Sequence, residues 1–331
     1  MTSGRDHGGG TDAAIARFGG ARSGWLDLST GINPVPYPTG QISANAWNAL
    51  PDSGAFSALE TAARAFWNVP AEAAVLAAPG ASALIARIPS LMALTGVHIA
   101  QPTYNEHAAA FAAHGVALAE DGDAQVVVHP NNPTGRIWQA NELRPARLTV
   151  IDESFCDVTP DASLIHLATR PGTIVLKSFG KFWGLAGLRL GFAIGDPALI
   201  GQLGEALGPW QISGPALEIG AKALTDTAWA SETRKRTAQD AERLDSLISQ
   251  HGGTALGGTS LFRLYEVDSA TRWQDHLAQS HVWSRIFPYS DTWLRLGLPG
   301  PDGWTHLETA LGGMAGGATA QPSVPDSPPA K

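Results

Sequence analysis

Lys177-Ser178-Phe179-Gly180-Lys181-Phe182-Trp183-Gly184-Leu185-Ala186-Gly187-Leu188-Arg189-Leu190-Gly191 follows the strand-like run Thr173-Ile174-Val175-Leu176. One glycine-rich loop at the end of an apolar strand therefore carries a serine, a lysine and an arginine. Glycines let backbone approach a ligand closely. A lysine in a partly dry pocket beside a second cation shifts toward the neutral amine, which can condense with an aldehyde cofactor. Ser178 and Arg189 would then hold a phosphate, the arginine through its forked guanidinium. Taken alone, the same residues also fit solvated surface charges.

Two further segments favour the ligand site. Gln125-Val126-Val127-Val128-His129-Pro130-Asn131-Asn132-Pro133 reads as a buried strand broken into a sharp turn by proline and asparagine. Leu148-Thr149-Val150-Ile151-Asp152-Glu153 is a second apolar strand, ending in two carboxylates. Open parallel sheets place ligands at such strand ends. Together these segments resemble the fold-type I pyridoxal phosphate (PLP) enzymes, the aspartate aminotransferase superfamily, over residues 27–312. The resemblance implies PLP as cofactor and an α/β fold: a mostly parallel sheet in a large domain plus a smaller α/β C-terminal domain. It makes Lys181 the lysine that holds the cofactor covalently and Asp152 the partner of its pyridine nitrogen. Asn132 becomes the donor to its ring oxygen, and Ser178 and Arg189 its phosphate ligands.

The start of the chain narrows the resemblance. Residues 1–24 are polar and glycine-rich, a composition that reads as a disordered leader. Yet His7-Gly8-Gly9-Gly10 followed by Gly31-Ile32-Asn33-Pro34 is similar to the threonine-phosphate decarboxylases of cobalamin biosynthesis, cousins of histidinol-phosphate aminotransferase. The resemblance turns the leader into an arm over the site, with His7, Gly8 and Asn33, beside Asn132, on a phosphorylated amino acid. Gly80-Ala81-Ser82 opens an apolar helix expected over 81–94, whose first amides suit a phosphate. Tyr104 matches the aromatic residue that stacks on the pyridine ring.

Trp283-Ser284-Arg285-Ile286-Phe287 and Trp293-Leu294-Arg295-Leu296 each place an arginine inside an apolar strand, where a guanidinium needs an anion. Arg295 resembles the clamp on the substrate α-carboxylate, Arg285 the decarboxylases' arginine for the substrate phosphate. Two positions depart from common relatives. Leu50 stands where many have a tyrosine that reaches the partner subunit's cofactor phosphate, and Phe155 where many have a tyrosine on the ring oxygen.

The remaining pattern divides the chain into an arm (1–44), a large PLP-binding domain (45–210), a small domain (211–312) and a disordered tail (313–331). Helices are expected over 57–68, 197–206, 214–227, 230–250, 271–279 and 302–311, and strands over 97–100, 258–267, 281–287 and 292–298. The charges of 230–250 read as a solvated face. With 22 Lys and Arg against 30 Asp and Glu, the net charge of −8 favours neither nucleic acid nor an acidic membrane face as partner. Cys156 is the single cysteine, so no intramolecular disulfide forms. The nine histidines after His7 show no paired-ligand spacing and read as surface or core residues, so no metal is expected. No apolar run approaches about eighteen residues and no signal-peptide core is evident, so the cytoplasm is the expected compartment.

The resemblance implies a homodimer that decarboxylates O-phospho-L-threonine to (R)-1-amino-2-propanol O-phosphate. The alternatives are a histidinol-phosphate-type aminotransferase and, outside catalysis, a PLP-binding sensor protein.

Overall fold

The computed structural model describes residues 7–313. Helix α1 (Thr11–Phe18) and strand β1 (Leu26–Asp27) lead into α2 (Ala44–Asn48) and α3 (Ser53–Phe66). Then come β2 (Ala74–Ala78), α4 (Ala81–Ile85), β3 (Val97–Ile99), α5 (Asn105–Ala113), β4 (Ala124–Val128), β5 (Leu148–Asp152), β6 (Thr173–Ser178) and β7 (Gly191–Gly195). Helices α6 (Pro197–Leu207), α7 (Gly214–Thr225) and α8 (Thr227–Gln250) follow. The chain closes with β8 (Thr254–Thr259), β9 (Phe262–Glu266), α9 (Ala270–Gln279), β10 (Val282–Trp283), β11 (Arg285–Phe287), β12 (Ser290–Gly297) and α10 (Trp304–Gly312).

Six strands form the central sheet in the order β2-β7-β6-β5-β4-β3, with β3 to β6 parallel and β7 antiparallel to both neighbours. Strands β4 and β5 are buried along their whole length, as a sheet covered on both faces requires. The second sheet, β11-β12-β9-β8, is antiparallel, and β1 pairs in parallel with β10. A separate core under this sheet contains Leu28, Tyr265, Trp273, Leu294 and Leu307. Helix α7 contributes Ala216, Leu217, Ala223 and Leu224 to the core of the large sheet, whereas Leu244 and Ile248 of α8 join the second core. The passage between the two cores thus falls inside α8. No helix among the described residues is long and apolar enough to cross a membrane.

Several sequence expectations change. Helix 81–94 is cut to α4 and a single turn at Ile88–Ser90, because Pro89 cannot continue a helical hydrogen-bond ladder. The expected strand over 258–267 is broken by a tight turn at Ser260 and Leu261, which joins the end of β8 to β9 in a hairpin. Helix α3 begins at Ser53, earlier than expected, where the Asp52 side chain caps Ala55 N–H at 3.1 Å. The leader is not structureless from residue 7 onward: α1 is tied to α9 by Arg17 and Asp275 at 3.0 Å. Nor is the charged face of α8 wholly solvated. Arg234 donates to the Asp157 carbonyl at 2.7 Å, and Arg236 to the Asn33 side chain at 2.7 Å. Residues 1–6 of the arm and 314–331 of the tail lie outside the described residues.

Candidate active site

Parallel strands β4, β5 and β6 end side by side, and their C-terminal ends deliver Asn132, Asp152 and the Lys181 loop to one place. The loop is rigid because its aromatic residues are core residues. Phe179, Phe182 and Trp183 are fully buried, Trp183 stacking on Phe179 at 5.1 Å and on Trp229 of α8 at 5.3 Å. Lys181 thus stands on an anchored turn, with its amine 5.3 Å from the centre of the Phe155 ring. Burial, then the positive charges of Arg295 and Arg189, push its amine down to about 8, against the opposing pull of Asp152.

Asp152 is 2% exposed and has its oxygens divided between two partners. Ser154 donates to Oδ1 from its backbone N–H at 3.0 Å and its hydroxyl at 2.6 Å, while His107 Nε2 lies 2.8 Å from Oδ2. Burial alone would raise the carboxyl. The His107 contact and the Ser154 hydrogen bonds more than offset it, so Asp152 sits below its ordinary value and is ionised.

On the other side of Lys181, Ser178 and Arg189 line a cavity of about 130 Å³ together with Ala81, Ser82, Tyr104 and Asn132. Two glycines make this corner possible. A Cβ on Gly80 would lie 2.5 Å from Arg189 Nη2, and one on Gly191 would lie 2.5 Å from Ala81 N. Gly80 also has φ +86°, a left-handed conformation that favours glycine. A guanidinium, a hydroxyl and the start of α4 converge where a phosphate fits, a buried ionised carboxylate faces a ring-nitrogen role, and a neutral-leaning amine lies between. These residues fit PLP.

A second cavity, of about 370 Å³, shares Tyr104, Asn132, Phe155 and Lys181 with the first. Its far wall comes from the small sheet. Arg285 and Arg295 are directly opposite each other in the β11–β12 register, and both line this cavity. Arg295, 6% exposed, donates to the Ser29 carbonyl at 2.6 Å and to the Asn132 side-chain oxygen. Like charges placed opposite each other on a sheet are destabilising, so the pair is suited to an anionic ligand. The arm closes the mouth. His7 Nε2 lies 3.0 Å from Glu106 Oε1, and Gly9 N–H donates to the Ser29 hydroxyl at 2.7 Å. Between them, Gly8 leaves no room for a side chain, since a Cβ would lie 2.3 Å from the Ser29 carbonyl oxygen.

Asn33, like Gly80, is an expected site residue that lines neither cavity, but unlike Gly80 it does not adjoin Arg189. Asn33 is held elsewhere. It is 2% exposed; its amide donates to the Phe182 carbonyl at 2.8 Å, and its oxygen accepts from Arg236 at 2.7 Å and Val35 N–H at 3.1 Å. Its own N–H donates to the Lys181 carbonyl at 3.0 Å. Asn33 thus braces the lysine loop from beneath. The sequence reading missed His107, treated there as one histidine among nine. Its position three residues after Tyr104, in the first turn of α5, was the available signal. It also left Lys177 without a role. Lys177 is buried and paired with Glu153 at 2.5 Å, with Asp157 at 3.8 Å. His129, Glu153 and Cys156 approach one another here, but His129 bonds the Ala162 carbonyl at 2.8 Å and accepts from Trp138 N–H at 3.1 Å. Glu153 meanwhile is taken by Lys177, Ser163 and Leu164 N–H.

Residues 117–303 match the model of aminotransferase class I and II, and the chain belongs to that family. Within it, the chain is 38% identical to the threonine-phosphate decarboxylase of Pseudomonas aeruginosa, over 93% of this chain and 98% of that protein. A Sinorhizobium protein of the same name is also 38% identical, over the same shares of the two chains. Among solved structures, histidinol-phosphate aminotransferase from Sinorhizobium meliloti in complex with pyridoxal-5'-phosphate superposes with a TM-score of 0.80 at 18% identity, covering 92% of this chain and 94% of that one. That likeness is one of fold.

Proposed function

We infer that the chain is a PLP-dependent carbon–carbon lyase that decarboxylates O-phospho-L-threonine to (R)-1-amino-2-propanol O-phosphate in cobalamin biosynthesis. The observation that carries this reading is the cross-strand pair Arg285 and Arg295 on the wall of a cavity that also contains Lys181. Such a cavity suits an amine bearing two anionic groups. The full-length relatives named for this reaction support the same substrate.

In this reading Ser178, Arg189 and the turn Gly80-Ala81-Ser82 hold the cofactor phosphate, Asn132 its ring oxygen and Asp152 its ring nitrogen, with Tyr104 against the ring. When bound, PLP supplies the electron sink for breaking a bond at the substrate Cα. The protein's own groups then decide which bond. Lys181 Nζ, held toward its neutral form, would be the amine that takes the cofactor's aldehyde and, when free of it, the group that returns a proton to Cα after CO2 departs. Arg295 holds the carboxylate, and Arg285 with His7 holds the phosphate. Fixing both ends would set which bond at Cα breaks. Asp152, kept ionised by His107 and Ser154, would hold the proton on the pyridine nitrogen when PLP is bound.

We extend the proposal to a cytoplasmic homodimer. Trp47, Leu50 and Trp210 are large apolar side chains, 68%, 68% and 54% exposed, near the face where α2 meets α7. A second copy is the cover we propose for them.

The test is to incubate PLP-loaded protein with O-phospho-L-threonine, without any oxo acid, and to follow CO2 against a Lys181→Ala control. Sustained release over many turnovers is expected. No release, together with turnover of histidinol phosphate once 2-oxoglutarate is added, would replace the lyase with an aminotransferase.

A further inference from the structure

The loop that carries Lys181 is held by a strip of chain far from it in sequence. Residues 33–37 take three consecutive carbonyls of that loop. Asn33 N–H donates to the Lys181 carbonyl at 3.0 Å, the Asn33 side-chain amide to the Phe182 carbonyl at 2.8 Å, and Tyr37 N–H to the Trp183 carbonyl at 2.9 Å. The two backbones are in close contact, since a Cβ on Gly184 would lie 2.7 Å from Pro36 Cα and 2.8 Å from the Asn33 carbonyl oxygen. Pro34 and Pro36 fix φ along the strip and stiffen it. Its hold on the lysine loop is then as firm as its own anchorage.

That anchorage comes from α8. At one end of the strip, Tyr37 meets the Trp229 ring edge-on at 5.1 Å. At the other, Arg236 divides its guanidinium: Nη2 donates to the Asn33 side-chain oxygen at 2.7 Å, and Nη1 to Asp240 Oδ2, one turn further along α8, at 3.2 Å. Val35 N–H also donates to the Asn33 oxygen at 3.1 Å, but that bond is local and joins the side chain to no other element. The bond from Arg236 comes from a charged donor, the stronger kind, and ties the strip to a helix. Helix α8 is itself fixed, with Asp245 accepting from Arg263 of β9 at 2.8 Å and Leu244 and Ile248 buried in the second core.

We propose that Arg236 is a positioning residue for Lys181: by holding the oxygen of the Asn33 amide against α8, it keeps the amide nitrogen on the Phe182 carbonyl and so sets how the Lys181 amine is presented to the cofactor. A side-chain amide has a donor end and an acceptor end, and a guanidinium only donates. Arg236 therefore requires the oxygen and leaves the nitrogen for Phe182. Arg236 lines neither cavity. It acts through Asn33 and the loop.

This rests on Lys181 as the cofactor's lysine, part of the reading above, and not on the choice of reaction, so its first readout needs no substrate. PLP-loaded Arg236→Met and Arg236→Lys are compared with wild type by the visible circular dichroism of bound cofactor, which reports how the ring is held. The same proteins are followed by kcat and KM for O-phospho-L-threonine and by urea unfolding. For Arg236→Met we expect the dichroism per bound cofactor to fall at least about twofold and kcat to fall about tenfold, with KM changed less than about twofold, a smaller loss than the hundredfold that about 1 Å of misplacement can cause. Arg236→Lys, which keeps the charge and a donor, should recover most of both. A lower unfolding midpoint with wild-type dichroism and wild-type kcat in the folded fraction would make Arg236 a purely structural residue and overturn the proposal. So would a loss confined to KM. If Arg236→Met fails to fold, Asn33→Asp carries the test. Its carboxylate still accepts from Arg236 and Val35 but has no donor for the Phe182 carbonyl, so the same loss of dichroism is expected, and wild-type dichroism would overturn the proposal. Failure of the lyase reading shows separately, as a wild type with full dichroism that releases no CO2 from O-phospho-L-threonine. The dichroism of the variants would still decide the role of Arg236.

Discussion

Lys177 and Lys181 are four residues apart, and both are buried, yet they are opposite kinds of lysine. Lys177 faces Glu153 at 2.5 Å and Asp157 at 3.8 Å, and these carboxylates more than offset the burial that would lower it, so its amine sits above its ordinary value. Lys181 faces Arg295 and Arg189, with Asp152 as a weaker counterweight, and burial plus the two cations bring it down to about 8. The strand pleat provides the separation, because Glu153 and Asp152 are adjacent and point to opposite faces of the sheet. One face receives a closed ion pair, with Asp157 also accepting indole N–H groups from Trp67 at 2.8 Å and Trp183 at 3.1 Å. The other receives an amine that burial and its cationic neighbours keep from holding its proton tightly. What makes a buried lysine reactive is therefore the sign of its neighbours, since burial is common to both.

The largest way to test this contrast is to remove each amine. Lys181→Ala should abolish the visible absorbance of bound cofactor and lower turnover by at least about a thousandfold, with little change in unfolding midpoint. Lys177→Met should do the reverse. It strands Glu153 as a buried charge and should destabilise the fold by about 3–5 kcal/mol in urea titrations, while the cofactor absorbance survives in the folded fraction. Adding Glu153→Gln should recover part of that loss. A Lys177→Met protein of normal stability without cofactor absorbance would collapse the distinction.

The pH dependence sharpens the same contrast. Lys181 has a folded value near 8, below the ordinary 10.5. Between those limits the unfolded chain holds the extra proton, so the cofactor-free protein should gain stability as pH rises from about 8 to 10.5. Lys177 is shifted up, so its contribution is complete below 10.5 and is lost only as pH climbs further through its folded value. Urea unfolding at pH 8 and pH 10 should therefore show a rise in stability in wild type that Lys181→Met removes. A rise that persists in Lys181→Met would assign it to another group.

Only part of this was legible in the sequence. Lys181, Asp152, Asn132, Ser178 and Arg189 could be placed because strand ends and a glycine-rich loop are local patterns, readable within a dozen residues. Asn33 could not be placed, because its partner Phe182 lies 149 positions away and nothing near Asn33 marks it as a brace. His107 was lost for the same reason, its carboxylate partner lying 45 residues further along. The leader from residue 7 was misjudged by composition, since its helix is held by a contact spanning 258 positions. Helix 81–94 failed differently. Its apolar run has no periodicity to separate helix from buried turn, and Pro89 settled the matter. The facing arginines were recognised singly, whereas their opposition depends on a strand register that neither segment encodes alone.

The smallest effect we expect isolates one neighbour. Arg295 is the leading electrostatic cause of the low Lys181 value after burial, and it also donates to Asn132 and the Ser29 carbonyl. Arg295→Gln retains a side-chain donor while deleting the charge. If cationic neighbours matter as argued, the midpoint for Lys181 should move up from about 8 toward its ordinary 10.5. The rate at which cofactor-free protein captures PLP, followed by absorbance across pH 6 to 10 and limited by the neutral amine, reads that midpoint without requiring turnover. A midpoint that stays near 8 would mean that burial alone sets Lys181. The contrast with Lys177 would then rest on the carboxylates around Lys177, and the arginines of the small sheet would serve only the substrate.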